Sequence, residues 1–184
     1  MIKNRDPQAL IVMGVSGVGK TTVARALADR IGGRYIEADA FHPPENIAAM
    51  AAGTPLTDEM RQPWLEALSD AMRQTRKSEP QTPVVVACSA LKRSYRDILR
   101  TQNPDALIVY LAADPEVIRT RITARANHFM PPSLLDSQLS TLELPASDEA
   151  CLAVDASRTL EEIVVSVCLG LAHRDGADAL TSLR

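Results

Sequence analysis

The residues with the clearest chemical signature lie near the start of the chain, where positions 14–21 read Gly-Val-Ser-Gly-Val-Gly-Lys-Thr. This octet matches the phosphate-binding pattern G-x-x-x-x-G-K-[ST] at every fixed position. Its glycines let the backbone adopt positive φ and turn amides toward a polyphosphate, and Lys20 adds a charge on the β- and γ-phosphates. Thr21 offers a hydroxyl to Mg²⁺. The residues predicted to hold ATP are Gly14, Val15, Ser16, Gly17, Val18, Gly19, Lys20, Thr21 and Thr22.

The sequence on either side of this loop indicates a strand before it and a helix after it. Residues 9–13 are all apolar, and Val23, Leu27 and Ile31 recur at the spacing of one helix face. A helix that starts at the loop adds its dipole to the attraction for an anion. The alternative is a glycine-rich turn that caps an ordinary helix, but strand, loop and helix together favour nucleotide binding.

The composition predicts one globular domain spanning residues 1–184. Hydrophobic residues make up 46% of the chain and charged residues 23%, a balance that does not indicate disorder. The net charge of −3 argues against a nucleic-acid partner, and no apolar run is long enough to cross a membrane. The first six residues lack a signal-peptide core, and the three cysteines are widely spaced within apolar segments. We therefore expect a cytoplasmic protein without a nucleic-acid or membrane partner.

Apolar strand patterns alternate with helical ones along the rest of the chain. Further strands are predicted at 34–39, 83–88, 106–111 and 151–154. Further helices are predicted at 45–52, 91–100, 115–124, 133–142 and 160–171, with a long one capped by Thr57 or Asp58. This alternation predicts an α/β fold with a doubly wound parallel sheet that binds ligands at the carboxyl ends of its strands. We expect a helical substrate-binding insertion at about 40–78, a lid at about 121–133 and a frayed tail at 174–184.

Asp39 comes at the carboxyl end of the second predicted strand, beside the expected position of the γ-phosphate. A carboxylate there can take the proton from an attacking hydroxyl, or it can hold Mg²⁺ through water. The alternative is an N-cap for the short helix that follows. His42 is either a hydrogen-bonding group for a polyol or a surface residue. Because the third strand ends in Cys88 and Ser89 and not in the aspartate of many phosphate-loop enzymes, the carboxylate role shifts to Asp39.

Two pairs of basic residues are spaced to share one helix face. Lys92 and Arg96 lie at the start of the helix after the third strand, where positive charge opposes the helix dipole. That local conflict predicts an anion in front of them, with solvated charges as the alternative. Arg121 and Arg125 lead into an irregular loop and are predicted to be lid arginines that neutralise charge on a transferring phosphoryl group. The alternative for this second pair is an exposed basic helix face.

Further motifs resemble those of the bacterial gluconokinases, over roughly residues 8–172. Shikimate kinases and adenylate kinases share the phosphate loop but not the blocks at 58–65 and 88–97, so the resemblance is specific. One departure is Glu37-Ala38, where many members of the family have Asp-Gly. The matching segments are the phosphate loop, Asp-x-Phe-His-Pro at 39–43, Asn-Ile-x-x-Met-x-x-Gly-x-Pro-Leu-x-Asp-x-x-Arg-x-Pro-Trp-Leu at 46–65, Cys-Ser-Ala-Leu-Lys-Arg-x-Tyr-Arg-Asp at 88–97, His-Phe at 128–129 and Thr-Leu-Glu-x-Pro at 141–145.

The resemblance implies ATP-dependent phosphorylation of D-gluconate at its C6 hydroxyl, giving 6-phospho-D-gluconate, with Mg²⁺ as cofactor. It also implies an adenylate-kinase-like fold with a lid, and an assembly that is often a homodimer. The residues that it places on the substrate side are Asp39, His42, Arg61, Lys92, Arg96 and His128. The catalytic set is then Lys20, Asp39, Arg121 and Arg125, and the metal set is Thr21 and Asp39.

Two other functions stay open on the sequence. A shikimate-kinase-like enzyme or a nucleoside-monophosphate kinase would use the same loop on another acceptor. A non-catalytic ATP-binding module would bind nucleotide without turnover, but it leaves the cluster of Asp39, Lys92 and Arg96 unexplained. A kinase that acts on gluconate accounts best for the motifs.

Overall fold

A five-stranded parallel sheet forms the centre of the fold, as the alternating pattern predicts. The computed structural model describes residues 7–123 and 132–181. The strands are β1 (Ala9–Met13), β2 (Arg34–Glu37), β3 (Val84–Ala87), β4 (Leu107–Ala112) and β5 (Cys151–Asp155). They lie in the order β2-β3-β1-β4-β5, and each neighbouring pair is parallel. Because β3 and β4 flank β1 on opposite sides, a crevice opens at the carboxyl end of β1, where the phosphate loop begins.

Helices cover both faces of the sheet. They are α1 (Lys20–Ile31), α2 (Pro44–Ala51), α3 (Asp58–Ser78), α4 (Arg93–Thr101), α5 (Pro115–Thr123), α6 (Pro132–Thr141) and α7 (Leu160–Thr181). Leu10 and Val12 of β1 pack in the core under α1, α5 and α7, whereas Ile11 and Met13 pack under α3 and α4. A strand buried on both faces must be apolar throughout, which explains the uninterrupted run before the loop. Within 7–123 and 132–181, no helix is long and apolar enough to cross a membrane.

Helix α3 is the larger part of a helical cap formed with α2, and it packs on the sheet and contacts the turn after β2. Its first turn is fixed by Thr57, whose side-chain oxygen accepts a hydrogen bond from the Met60 amide at 3.3 Å. Its buried face carries Trp64, Leu65, Leu68 and Met72. Together with α2, this helix fills most of the range in which a substrate-binding insertion is predicted.

Several predicted boundaries differ from the structure, among them the ends of β2 and α7. Strand β2 ends at Glu37 and not at Asp39, because Ala38–Phe41 turn into a 3₁₀ helix, and Asp39 therefore lies on that turn. Helix α7 continues past its predicted end at 171, through residues 172–181. That segment includes alanine, leucine and arginine, whose intrinsic propensity favours a helix even without an apolar periodicity.

Candidate active site

The phosphate loop connects β1 to α1 with the backbone geometry that close approach of an anion requires. Gly14, Gly17 and Gly19 have φ angles of 145°, 82° and 107°, which L side chains rarely adopt. The Lys20 ammonium folds over the loop and donates to the Val15 carbonyl oxygen at 3.1 Å. Burial lowers the pKa of Lys20, and the negative charge of Asp39 opposes that shift.

Helix α5 packs directly against this loop. A Cβ atom at Gly17 would lie 2.5 Å from Cγ1 of Ile122, so a side chain at position 17 and the present position of α5 exclude each other. Val15 and Val18 are buried in the same core and therefore offer a ligand only their backbone. The exposed side chains of the predicted nucleotide-binding set are Thr21 and Thr22, on the first turn of α1.

The backbone amide of Ser16 donates to a side-chain oxygen, Oε1 of Gln138, at 2.7 Å. Gln138 belongs to α6 and is 122 positions away along the chain. The contact indicates that this amide is directed at an oxygen acceptor, as the binding of a phosphate oxygen requires. Sequence analysis misses Gln138, because no local pattern distinguishes one neutral polar residue inside a helix.

A second carboxylate lies beside the loop. Thr21 donates its hydroxyl to Oε2 of Glu37 at 2.9 Å, and the Tyr35 hydroxyl donates to the same oxygen. Burial together with the Glu37 contact raises the pKa of Tyr35 to about 12. Glu37 and Asp39 both act on the pKa of Lys20, so both carboxylates lie near its ammonium. One hydroxyl and two carboxylates form the all-oxygen donor set that Mg²⁺ prefers. Sequence analysis did not assign Glu37 to the site. The signal that could have identified it is its position two residues before Asp39.

A cleft runs from the phosphate loop to the helical cap. From the predicted site residues, its lining includes Ser16, Lys20, Asp39, His42 and Arg61. Among the residues that the structure describes, Lys92, Arg96 and Arg121 do not line it. Arg125 and His128 lie outside the described residues. The structure thus brings together the loop, the candidate base, one histidine and one arginine.

Asp39 lies at the mouth of this cleft, on the 3₁₀ turn, with 83% of its side chain exposed. The protein around it displaces part of its water and raises its pKa, while Lys20 acts in the opposite direction. Its high exposure limits the size of that shift. An accessible carboxylate with a raised pKa, close to the phosphate-binding lysine, is suited to accept a proton from an attacking hydroxyl.

His42 is buried against Trp64, with ring centroids 4.1 Å apart and an interplanar angle of 17°. The Trp64 indole donates to the Ala38 carbonyl oxygen at 2.7 Å, which attaches α3 to the 3₁₀ turn. Burial, with a contribution from Arg61, lowers the pKa of His42 to about 4. At neutral pH, His42 is therefore an uncharged hydrogen-bonding group. The interpretation of His42 as a surface residue is therefore wrong, because the side chain is buried.

Asp58 is the centre of a charged network at the start of α3. Both of its oxygens accept from the Lys92 ammonium, at 2.8 and 2.7 Å, and one also accepts from the Tyr95 hydroxyl. Arg61 lies 4.0 Å from Asp58 and donates to the Leu56 carbonyl oxygen. Two cations thus share one carboxylate, and only Arg61 of the two lines the cleft. The anion predicted in front of Lys92 is Asp58 of the chain itself.

Arg96 does not reach the cleft, and its assignment to the substrate side is corrected. Its guanidinium pairs with the Glu149 carboxylate through two contacts, at 2.6 and 2.8 Å, and both side chains are buried. Its third nitrogen donates to the carbonyl oxygens of Ala90, Leu91 and Glu143. The local charge conflict did indicate an anion, but Glu149 provides it from 53 positions away. Arg96 is therefore a structural residue that joins two loops.

Arg121 lies on α5 and is half-buried. Hydrogen bonds with Ser157 lower the pKa of Asp155, and the positive charge of Arg121 contributes to that shift. Arg121 is thus close to the carboxyl end of β5, on the side of β1 away from the acceptor cleft.

The chain is similar to several known proteins. A protein-family model described as shikimate kinase matches residues 16–167. The gluconokinase of Gluconobacter oxydans (strain 621H) is 45% identical over 162 residues, which cover 86% of this chain and 90% of that protein. The thermoresistant gluconokinase of Escherichia coli (strain K12) is 42% identical over 167 residues, which cover 89% and 93%. A gluconokinase structure from Sinorhizobium meliloti 1021 is similar with a TM-score of 0.85 at 45% identity, covering 97% of this chain and 99% of that one.

These similarities extend over most of each relative and include the sheet, the loop and the helical cap. They confirm the resemblance recognised in the sequence and the predicted fold class of phosphate-loop kinases. They also show that the chain is a kinase enzyme, which argues against the alternative of a non-catalytic ATP-binding module. The chain belongs to the gluconokinases, a group of kinases within the wider family whose model is described as shikimate kinase.

Proposed function

We propose that this protein transfers the γ-phosphoryl group of ATP to the C6 hydroxyl of D-gluconate, giving 6-phospho-D-gluconate and ADP. The observation that carries the proposal is the cleft lined by Lys20, Asp39 and Arg61. It offers one ligand a phosphate site, a proton acceptor and a cation. An open-chain hydroxy acid can engage all three, and the gluconokinase names of the relatives support this acceptor.

The nucleotide is ATP, bound by the amides of the phosphate loop and by Lys20. Oxygens of Thr21 and Glu37 are the groups that would hold Mg²⁺, with Asp39 contributing through a water molecule. When bound, the ion offsets the negative charge of the phosphates. The contact of Lys20 with the Val15 carbonyl keeps its ammonium at the loop, where it stabilises charge on the transferring group.

Asp39 accepts the proton of the attacking hydroxyl. As the bond from that oxygen to the γ-phosphorus forms, the bond from phosphorus to the leaving oxygen of ADP breaks, and the proton moves to the Asp39 carboxylate. A raised pKa increases the basicity of this carboxylate, and its exposure at the cleft mouth leaves it accessible to the acceptor.

Arg61 binds the carboxylate of gluconate. Its guanidinium lines the cleft, and its positive charge is only partly balanced, because Asp58 pairs more closely with Lys92. A planar guanidinium binds a carboxylate through two parallel hydrogen bonds. A neutral sugar in the same position leaves this charge only partly balanced by Asp58, which is costly in a partly buried site.

Several finer assignments complete the proposal. Arg121 and Arg125 act as lid arginines around the transferring phosphoryl group, and His128 acts on the substrate side. The protein functions in the cytoplasm as a homodimer, without a nucleic-acid or membrane partner. Of these assignments, the gluconokinase names of the relatives support only a small-molecule acceptor, and the others follow from the sequence motifs.

A coupled assay of ADP release tests the function. The purified protein is given ATP and Mg²⁺ with D-gluconate, shikimate or a nucleoside monophosphate in turn. We expect turnover with gluconate and only background with the others. Lys20→Ala is the control, because alanine is tolerated well in a helix and removes the ammonium together with its aliphatic stem. Turnover with shikimate or a nucleotide but not with gluconate would overturn the proposal, and nucleotide binding without turnover on any acceptor would favour the non-catalytic module.

A further inference from the structure

Asn46 is a buried polar residue next to the cleft for which neither the sequence nor the proposed reaction accounts. It lies on α2 and is 2% exposed. Its side-chain nitrogen donates to the Met60 carbonyl oxygen at 2.9 Å and lies 3.4 Å from Nδ1 of His42. Burying an amide costs free energy unless its N–H groups donate hydrogen bonds, so we take Met60 and His42 as the two acceptors of the Asn46 amide.

The contact with Met60 fixes which way the amide points. If the amide were flipped, its oxygen would face the Met60 carbonyl oxygen, and two acceptors would meet without a proton between them. The nitrogen therefore faces Met60, and its second hydrogen is available to His42. An amide nitrogen is a donor only, so the His42 Nδ1 that it contacts must be the acceptor.

This assignment determines the protonation of the histidine ring. An imidazole whose Nδ1 accepts a hydrogen bond is neutral and carries its hydrogen on Nε2. That Nε2 lies 3.9 Å from Oδ1 of Asp39. The distance is too long for a direct hydrogen bond, but one oxygen atom can lie about 2.8 Å from both. Stacking on Trp64 fixes the plane of the His42 ring, so that Nε2 is directed toward the position of this shared oxygen atom.

We propose that Asn46 is a positioning residue that fixes His42 in its Nε2–H tautomer, so that His42 and Asp39 together bind one hydroxyl of the acceptor. The hydroxyl donates to the Asp39 carboxylate and accepts from His42. The opposite tautomer would present a lone pair to the hydroxyl oxygen and lose this interaction. The role as acceptor site rests on the proposed function, whereas the tautomer itself does not.

The tautomer is measured on the ligand-free wild type by ¹⁵N NMR of the imidazole nitrogens. The chain contains three histidines, and the signals of His42 are identified as those that disappear in His42→Gln. We expect an unprotonated Nδ1 and a protonated Nε2 at neutral pH. A protonated Nδ1 on His42 overturns the proposal. This readout needs no acceptor, so it stays valid even if gluconate is not phosphorylated.

Asn46→Asp tests whether Asn46 sets the tautomer. Aspartate has nearly the same size but presents only acceptors, so Nδ1 should acquire a proton in this variant. An Nδ1 that stays unprotonated overturns the role of Asn46. The matched control is Ser69→Ala, which removes a buried hydrogen bond from α3 to the Leu99 carbonyl oxygen at a distance from the cleft. It should lower the melting temperature and leave the His42 signals unchanged.

A pair of substitutions at His42 tests its role in acceptor binding. The terminal amide of glutamine reaches the position of Nε2, whereas that of asparagine reaches only the position of Nδ1. We expect His42→Asn to raise the KM for gluconate at least about tenfold more than His42→Gln, with the KM for ATP changed by less than about twofold in both. Equal effects of the two substitutions on the KM for gluconate would contradict the hydroxyl-binding role and leave the tautomer result standing.

Discussion

The guanidinium of Arg96 and the carboxylate of Glu149 form a two-point ion pair in the interior, with Nε–Oε2 and Nη2–Oε1 distances of 2.6 and 2.8 Å and 1% of each side chain exposed. Arg96 also donates to the Ala90 and Leu91 carbonyl oxygens. Ala90 has a φ of 45°, which a residue with a Cβ atom adopts only at a cost. The ion pair therefore holds a strained turn whose neighbour Leu91 lines the cleft.

Arg96→Met should destabilise the protein strongly. The substitution keeps an apolar stem but leaves the Glu149 carboxylate buried without a partner, at a cost of about 3–5 kcal/mol in the free energy of unfolding. Arg93→Met is the control, because Arg93 pairs with Asp148 at the surface and its loss should have little effect. Urea unfolding measures both variants. A loss for Arg96→Met no larger than that for Arg93→Met would show that the buried pair does not stabilise the fold.

The same pair predicts part of the acid sensitivity of the protein. Hydrogen bonds from Arg96 hold the pKa of Glu149 below its ordinary value. The pair therefore contributes its full stability above the unfolded pKa of about 4.3, and this contribution is lost as the pH falls through the lower folded pKa. The melting temperature of the wild type should fall over this acid range more steeply than that of Glu149→Gln. Parallel curves for the two proteins would argue against this source.

Gly17→Ala should disturb the phosphate loop more than Gly19→Ala. Both glycines have positive φ, so both substitutions introduce backbone strain. Only at position 17 does the added Cβ meet Ile122, whereas position 19 has no atom within 4 Å. We expect Gly17→Ala to be less stable than Gly19→Ala by about 1–3 kcal/mol, as measured by thermal unfolding. The reverse order would mean that α5 does not pack on the loop as described.

Arg61 and Lys92 should differ in their effect on the acceptor. Arg61→Ala removes the cation that lines the cleft, and the KM for gluconate should rise at least about tenfold while the KM for ATP changes by less than about twofold. Lys92 lies outside the lining and is paired with Asp58, so Lys92→Ala should raise the KM for gluconate less. Steady-state kinetics with each substrate varied in turn give both constants. A larger effect of Lys92→Ala would reverse the assignment of the carboxylate-binding residue.

Much of the fold was predictable because the signals are local. The glycines and Lys20 of the loop occupy fixed positions in one octet, and residues 9–13 are apolar because β1 is buried on both faces. The order of strands and helices followed from the same short-range patterns. The end of β2 was not predictable to the residue, since Asp39 is compatible with both a strand end and the 3₁₀ turn that forms.

The parts of the site that sequence analysis missed depend on partners that are far apart in the chain. Glu149 neutralises Arg96 from 53 positions away, and Gln138 meets the Ser16 amide from 122 positions away. A basic residue at a helix start indicates that an anion is near, but it does not distinguish a substrate from a carboxylate of the protein itself. That distinction required the packing of the loop at 143–149 on α4.

The ratio of kcat/KM for D-gluconate to that for D-glucose tests the central claim most directly, because both offer a C6 hydroxyl and only gluconate offers a carboxylate to Arg61. The wild type should favour gluconate by about 10³-fold or more, since a site built to pair a polar group rejects an analogue that lacks it. The ratio should fall toward unity in Arg61→Ala. Equal use of gluconate and glucose by the wild type would contradict the account.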